Sequence, residues 1–203
     1  MPLIDIKRLT PSTQLGLWRM DEQPHELVQR YPALQELAAE VSRRFRSLVR
    51  QQERLCVHAL LQEMTGSEGL IINHAPSGKP MLEGYQISIS HTRGYAALML
   101  STEEQVAVDI EQRSDRVQRI AKRFLRPDEH ANTTEQMLAH WSAKETVYKL
   151  FSVDVLAFED MQVTNMYEGL MHVENKKRNV QVPVRLEWNN DYVLTYAWLP
   201  AEV

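Results

Sequence analysis

Strand-period and helix-period segments interleaved along one chain of 203 residues predict an α+β fold built from two similar α/β lobes, residues 1–104 and 105–203. Three observations carry this. Apolar residues recur at helical spacing between about 33 and 65 and again between Val117 and Phe151. Two stretches, "ISISHTRGYAALML" (87–100) and "VRLEWNNDYVLTYA" (184–197), each read strand, polar turn, Tyr, apolar strand. Setting Tyr95 against Tyr192 superposes them at an offset of 97, nearly half the chain, which is what a duplicated architecture leaves behind.

The first helical region carries Leu34, Leu37, Ala38, Val41, Phe45, Leu48 and Val49, then, after a polar break, Leu55, Cys56, Ala59, Leu60 and Met64. Two helical pieces are expected, ended by Thr65-Gly66, since Gly readily takes the left-handed cap. Ile87 and Ile89 alternate with Ser88 and Ser90 as in a half-buried strand, and Tyr95–Leu100 returns as its partner. "TEEQ" at 102–105 turns into the strand "VAVDIEQ" (106–112). Val117, Ile120, Ala121, Phe124 and Leu125 predict a helix. Pro127-Asp128-Glu129 reads as the start of another, with Pro in its first turn and acids following. A further helix is expected from Met137 to about Phe151, followed by the tail hairpin.

The chain is 43% hydrophobic and 25% charged, ordinary for a soluble globular protein, with a formal charge of -4. That acidic balance argues against a general nucleic-acid binder. A single cysteine, Cys56, allows no internal disulfide and fits a reducing, intracellular setting. "MPLIDIKRLT" carries charges where a signal peptide needs an apolar run, and the longest apolar run, Tyr95–Leu100, is six residues. A cytoplasmic protein with no membrane partner is therefore the expectation.

Five constellations could carry chemistry. Asp109 and Glu111 lie two apart in a strand, so both carboxylates face one side. Such a pair is more often a solvated face or an arginine ion-pair partner, and it can also ligate Mg²⁺. In "WSAKETVYK" (141–149), Trp141, Glu145 and Lys149 fall on one helical stripe, with Lys144 and Tyr148 on the next. Glu145 and Lys149 read either as a surface ion pair or as a metal ligand or base beside a phosphate-binding cation. Ser90 and His91 end a strand, where hydroxyl and imidazole can hold a phosphate. They are not a nucleophile–base couple, because neighbours in a strand point opposite ways. Lys79 sits in the Gly-Pro-bracketed turn "SGKP". Finally, Arg113, Arg116, Arg119, Lys122, Arg123 and Arg126 cluster against one acid, Asp115, and Arg43, Arg44, Arg46, Arg50 and Arg54 cluster near the long N-terminal helix. Either cluster could steer an anionic partner or be a solvated helix face.

Taken in order, "GKP" (78–80), "SISH" (88–91), "AVDIE" (107–111) and "WSAKETVYK" (141–149) resemble the motifs of the 4'-phosphopantetheinyl transferase superfamily, in particular its two-lobed, surfactin-synthetase-activating type. "IAKRFL" (120–125), before Glu129, resembles the family's intervening helix. One departure is Ala107, where the family usually has Gly. The resemblance implies a pseudo-duplicated fold with the active site in the cleft between lobes. It implies transfer of 4'-phosphopantetheine from coenzyme A to a serine of an apo acyl or peptidyl carrier protein, as a holo-acyl-carrier-protein synthase does, releasing adenosine 3',5'-bisphosphate. It further implies Mg²⁺, or Mn²⁺, on Asp109, Glu111 and Glu145. Asp109, Glu145 and Lys149 would be the catalytic residues, with Glu145 taking the serine proton. Coenzyme A would be held by Lys79, Ser90, His91, Lys144, Lys149, Arg54 and Arg50. An acidic carrier would dock on the Arg113–Arg126 region, and a chain that builds its own cleft would act as a monomer. Two alternatives stand beside this: a non-catalytic coenzyme A or nucleotide-binding module, which would have shed one of Asp109, Glu111, Glu145 or Lys149, and another Mg²⁺-dependent phosphate enzyme, which would turn over coenzyme A without a carrier.

Overall fold

A computed structural model describes residues 2–201, which divide into two compact units that meet between Glu104 and Gln105.

In the first unit, strands β1 (Leu3–Arg8), β2 (Thr13–Arg19), β5 (Gln86–Thr92) and β6 (Tyr95–Ser101) form an antiparallel sheet in the order β1-β2-β6-β5. Between β2 and β5 come helices α1 (Pro24–Arg30), α2 (Gln35–Arg44) and α3 (Leu48–Thr65), then the two-residue strands β3 (Asn73–His74) and β4 (Pro80–Met81), which pair with each other. The break between α2 and α3 has a local cause: Ser47 caps α3 through the Arg50 amide, and Gly66, at φ 67°, closes it. α3 lies on β2 and β6, where Gly16 lets it approach: a Cβ there would stand 2.5 Å from Met64 Sδ. Trp18, Leu27, Leu55, Cys56, Leu60 and Leu98 fill the core beneath. The Cys56 thiol is fully buried, and burial pushes its pKa up to about 12, so it is packing rather than a nucleophile.

The second unit is a five-stranded antiparallel sheet in the order β7-β11-β10-β9-β8. Its strands are β7 (Glu104–Gln112), β8 (Met161–Tyr167), β9 (Leu170–Asn175), β10 (Val180–Trp188) and β11 (Tyr192–Pro200). Helices α4 (Arg116–Phe124) and α5 (Thr134–Leu150) intervene between β7 and β8. α5 packs along the sheet and α4 packs on α5, closing a core that includes Ala107, Phe124, Ala143, Val147, Val184 and Val193. β10 alternates buried Val182, Val184 and Leu186 with exposed neighbours, the pattern of a sheet with one covered face.

One expected element is corrected. Pro127–Glu129 does not start a helix but lies in a turn, and α5 begins only after Thr133 and Gln136 form a reciprocal capping box. Glu129 has a different task. Its buried carboxylate accepts from the backbone amides of Arg126 (2.8 Å) and Val163 (2.6 Å) and from Lys144 Nζ (2.7 Å). Strands β1, β2, β8 and β9 were not expected from the sequence. No helix among the described residues is long and apolar enough to cross a membrane.

Candidate active site

β7 and α5 bring the second unit's chemistry together. Alternation along β7 turns Asp109 and Glu111 to the same side, toward α5. Asp109 is only 3% exposed. Its Oδ1 accepts from Lys149 Nζ at 2.7 Å and its Oδ2 from Ser142 Oγ at 2.8 Å. Lys149 also donates to the carbonyl of Val108 at 3.0 Å, which fixes the ammonium over the strand. Glu111 Oε1 accepts from Trp141 Nε1 at 2.7 Å, and the indole is wedged against Phe124 and Phe158, with ring centroids 5.2 and 5.3 Å away.

Glu145 stands one turn beyond Trp141 and one before Lys149, and has no hydrogen-bond partner among the described residues. Burial, then the charge of Asp109, then that of Glu111, push its pKa up to about 7, against the pull of Lys149. Glu111 is raised to about 7 by the same two leading causes, burial and Asp109, with Trp141 and Lys149 opposing. Three carboxylates thus share one small, poorly hydrated region with a single ammonium. Mutual repulsion among hard oxygen donors is what a divalent cation relieves, and the donor set suits Mg²⁺ or Mn²⁺. Among the described residues, however, no three His, Cys, Asp or Glu side chains stand as a preformed metal-holding group. Lys149 and Ser142 each hold one oxygen of Asp109, and Trp141 holds one oxygen of Glu111.

The sequence named Ser142 and Trp141 only as members of a motif, and it missed Thr146 and Thr195. Thr195 Oγ1 on β11 donates to the Ser142 carbonyl at 2.9 Å, and the hydroxyls of Thr146 and Thr195 meet at 2.7 Å, all fully buried. This network joins α5 to β11 directly behind Asp109. Ser142 and Thr146, four apart and so on one stripe of α5, were the available signal.

Lys144 is placed away from the carboxylates. Fully buried, it donates to the Phe124 carbonyl and to Glu129, both at 2.7 Å, so it braces α5 against the turn after α4. The basic run is also divided. Arg113 pairs with Glu135 and lies over the Trp188 ring, and Arg126 pairs with Asp128. Arg116, Arg119, Lys122 and Arg123 project from α4, exposed and in no ion pair among the described residues.

The first unit holds the remaining candidates. Ser90 is buried and His91 exposed on β5, as alternation requires. His91 Nδ1 faces Glu53 at 3.5 Å, and Arg50, mostly exposed, reaches the same carboxylate at 4.0 Å. Lys79 lies in the β3–β4 turn, whose tightness rests on Gly78 at φ 87°. Arg54 faces a cavity of about 690 Å³ lined also by Arg44, His58 and His74, a group no motif announced.

No curated protein matches the chain. Residues 105–197, nearly the whole second unit with every carboxylate, ammonium and hydroxyl of the β7–α5 site, match the family model described as the 4'-phosphopantetheinyl transferase superfamily.

Proposed function

We propose that this protein transfers the 4'-phosphopantetheine group of coenzyme A to a serine hydroxyl of an apo acyl or peptidyl carrier protein, in the manner of a holo-acyl-carrier-protein synthase of the two-lobed type. The observation that carries the reading is the grouping of Asp109, Glu111 and Glu145 with Lys149 on β7 and α5, within the stretch matched by the family model.

The serine oxygen forms a bond to the phosphorus bearing pantetheine, the diphosphate bridge opens, and adenosine 3',5'-bisphosphate leaves. Such a reaction gains most from positioning and charge neutralisation. Bound at the three carboxylates, Mg²⁺ or Mn²⁺ supplies charge neutralisation on the diphosphate. Glu145 takes the serine proton: with a pKa near 7 and no hydrogen bond tying it down, it is matched to that transfer at neutral pH. Lys149 offers positive charge beside Asp109, and Ser142 and Trp141 hold the two strand acids in place. Lys79, Ser90, His91, Arg50 and Arg54 of the first unit are proposed to hold the nucleotide end of coenzyme A. The exposed cations of α4 are proposed to face an acidic carrier.

Mass spectrometry of an apo carrier incubated with protein, coenzyme A and Mg²⁺ tests the reading. A gain of one phosphopantetheine that requires all components supports it. No gain with several carriers points to a binding module, and coenzyme A consumed without a carrier points to a hydrolase.

A further inference from the structure

Behind the carboxylates, α5 meets β11 through three fully buried hydroxyls, those of Ser142, Thr146 and Thr195. Ser142 and Thr146 share one stripe of α5, and Thr195 comes from β11. Their oxygens form a chain. Thr146 Oγ1 lies 2.7 Å from Thr195 Oγ1, Thr195 Oγ1 lies 2.8 Å from Ser142 Oγ, and Ser142 Oγ lies 2.8 Å from Asp109 Oδ2. Their chain neighbours Ala143, Val147, Val193 and Ala197 belong to the apolar core and bring no side-chain donor.

Counting protons gives the chain a direction, since each hydroxyl has one to donate. Asp109 is ion-paired with Lys149, so its carboxylate accepts, and the Ser142 proton goes to Oδ2. Ser142 Oγ can then only accept. That turns the Thr195 proton toward Ser142, shared between Oγ at 2.8 Å and the carbonyl at 2.9 Å. Thr195 Oγ1 accepts in turn from Thr146, whose alternative, the Thr195 carbonyl, is farther away at 3.3 Å. All three protons therefore point one way, from Thr146 through Thr195 and Ser142 to one oxygen of Asp109. Hydrogen bonds in such a chain polarise one another, and a low local dielectric strengthens each.

The Asp109 carboxylate is thereby divided. Lys149 holds Oδ1 at 2.7 Å and Ser142 holds Oδ2. An ammonium left alone with a carboxylate can draw both oxygens to itself, whereas a second donor on Oδ2 fixes the rotation of the group.

We propose that Thr195, with Thr146 behind it, is a positioning residue for Asp109: the two hydroxyls commit the Ser142 proton to Oδ2 and keep the carboxylate turned to bind a divalent cation with Glu111 and Glu145. The inference rests on the reading of these carboxylates as a cation site. Partners that orient a ligating carboxylate from behind typically contribute about 10–100-fold in metal affinity.

Mn²⁺ binding to the full chain, read by electron paramagnetic resonance with and without coenzyme A, tests this apart from transfer. Thr195→Val removes the hydroxyl and nearly keeps the shape. It should weaken Mn²⁺ about tenfold and lower kcat by a similar factor, with KM for coenzyme A within about twofold of the original. Thr195→Ser keeps the hydroxyl and loses a buried methyl. It should unfold at lower urea than the original protein yet bind Mn²⁺ within about twofold of it. Mn²⁺ affinity that instead follows the unfolding midpoint in both variants marks a merely structural role and overturns the proposal. Because Thr195 acts through Ser142, Thr195→Val should cost less than about twofold in a Ser142→Ala background, and a full tenfold loss there also overturns it. Thr146→Val removes the first donor of the chain and should weaken Mn²⁺ in the same direction, which keeps the test open should Thr195→Val not fold. If the original protein binds Mn²⁺ and Thr195→Val binds it equally well, this inference alone fails. If the original protein binds no Mn²⁺ under either condition, the cation site itself falls, and this inference with it.

Discussion

The two units concentrate charge in opposite ways. In the second, Asp109, Glu111 and Glu145 come from one strand and one helix, and hydroxyl, indole and ammonium donors hold the two strand acids in place. In the first, Arg44, Arg54, His58 and His74 come from three segments around an open cavity, and the cations are left largely uncompensated. The acidic site is a rigid constellation whose spacing is set by periodicity. The basic site is a basin whose composition matters more than any one distance. Loss of a residue from the first should therefore cost catalysis, and loss from the second should cost affinity.

The largest expected effect tests this contrast. Asp109→Asn keeps the volume and removes the charge that Lys149 and Ser142 are arranged around. Transfer to the carrier should fall by at least about 10³-fold in kcat/KM with the fold retained by circular dichroism. Arg54→Gln should instead raise KM for coenzyme A by about tenfold and leave kcat near the original. Equal losses in kcat from both changes would erase the distinction between the units.

Next is the buried pair Lys144–Glu129, which the sequence split between a coenzyme contact and a helix start. Leaving Glu129 uncompensated through Lys144→Met should destabilise the protein by about 3–5 kcal/mol in urea unfolding. Adding Glu129→Gln should recover part of that loss, because the remaining group carries no charge. A change under 1 kcal/mol would show that the pair does not brace α5.

Periodicity along the chain did not pair these two residues. Period and spacing placed β7, α5 and the β10–β11 hairpin, since each buries one alternating or helical face. They therefore delivered Asp109, Glu111, Glu145 and Lys149 as a local set. Neither period reports which buried partner a side chain finds across the fold. Lys144 is one residue from Glu145 yet is rotated about 100° around the helix, into contact with Glu129. Thr195, far along the chain, closes the network behind Asp109 for the same reason. β1 and β8 were missed because each is a sheet edge with much of its surface exposed, so little apolar alternation marks it. The cavity of the first unit escaped notice because its residues share no motif, only proximity.

Surface charge gives a smaller effect. Reversing Arg116 and Arg119 to Glu should raise KM for an acidic carrier about tenfold, lessening with added salt, and leave KM for coenzyme A unchanged. An unchanged carrier KM would remove α4 from the docking surface.

The smallest effect is a slope. Glu111 and Glu145 have pKa values near 7 in the fold and ordinary carboxylate values when unfolded. Between about pH 5 and 7 the folded state binds more protons, so the metal-free protein loses stability as pH rises through that window. His58, His74 and His140, all held below the ordinary histidine value chiefly by burial, bind fewer protons folded than unfolded and tilt stability the other way. The readout is therefore the difference between proteins rather than either curve alone. In Glu145→Gln one of the two carboxylates no longer titrates, so stability in chelator should fall less steeply with pH, by at most about 1.4 kcal/mol per pH unit. Saturating Mg²⁺ should flatten the original protein in the same direction, since a cation favours the ionised carboxylates. Urea unfolding at pH 5, 6 and 7 measures all three. Parallel curves for the original protein and Glu145→Gln in chelator would mean that Glu145 is not held protonated by its surroundings, and the assignment of it as a base poised near neutrality would fall with them.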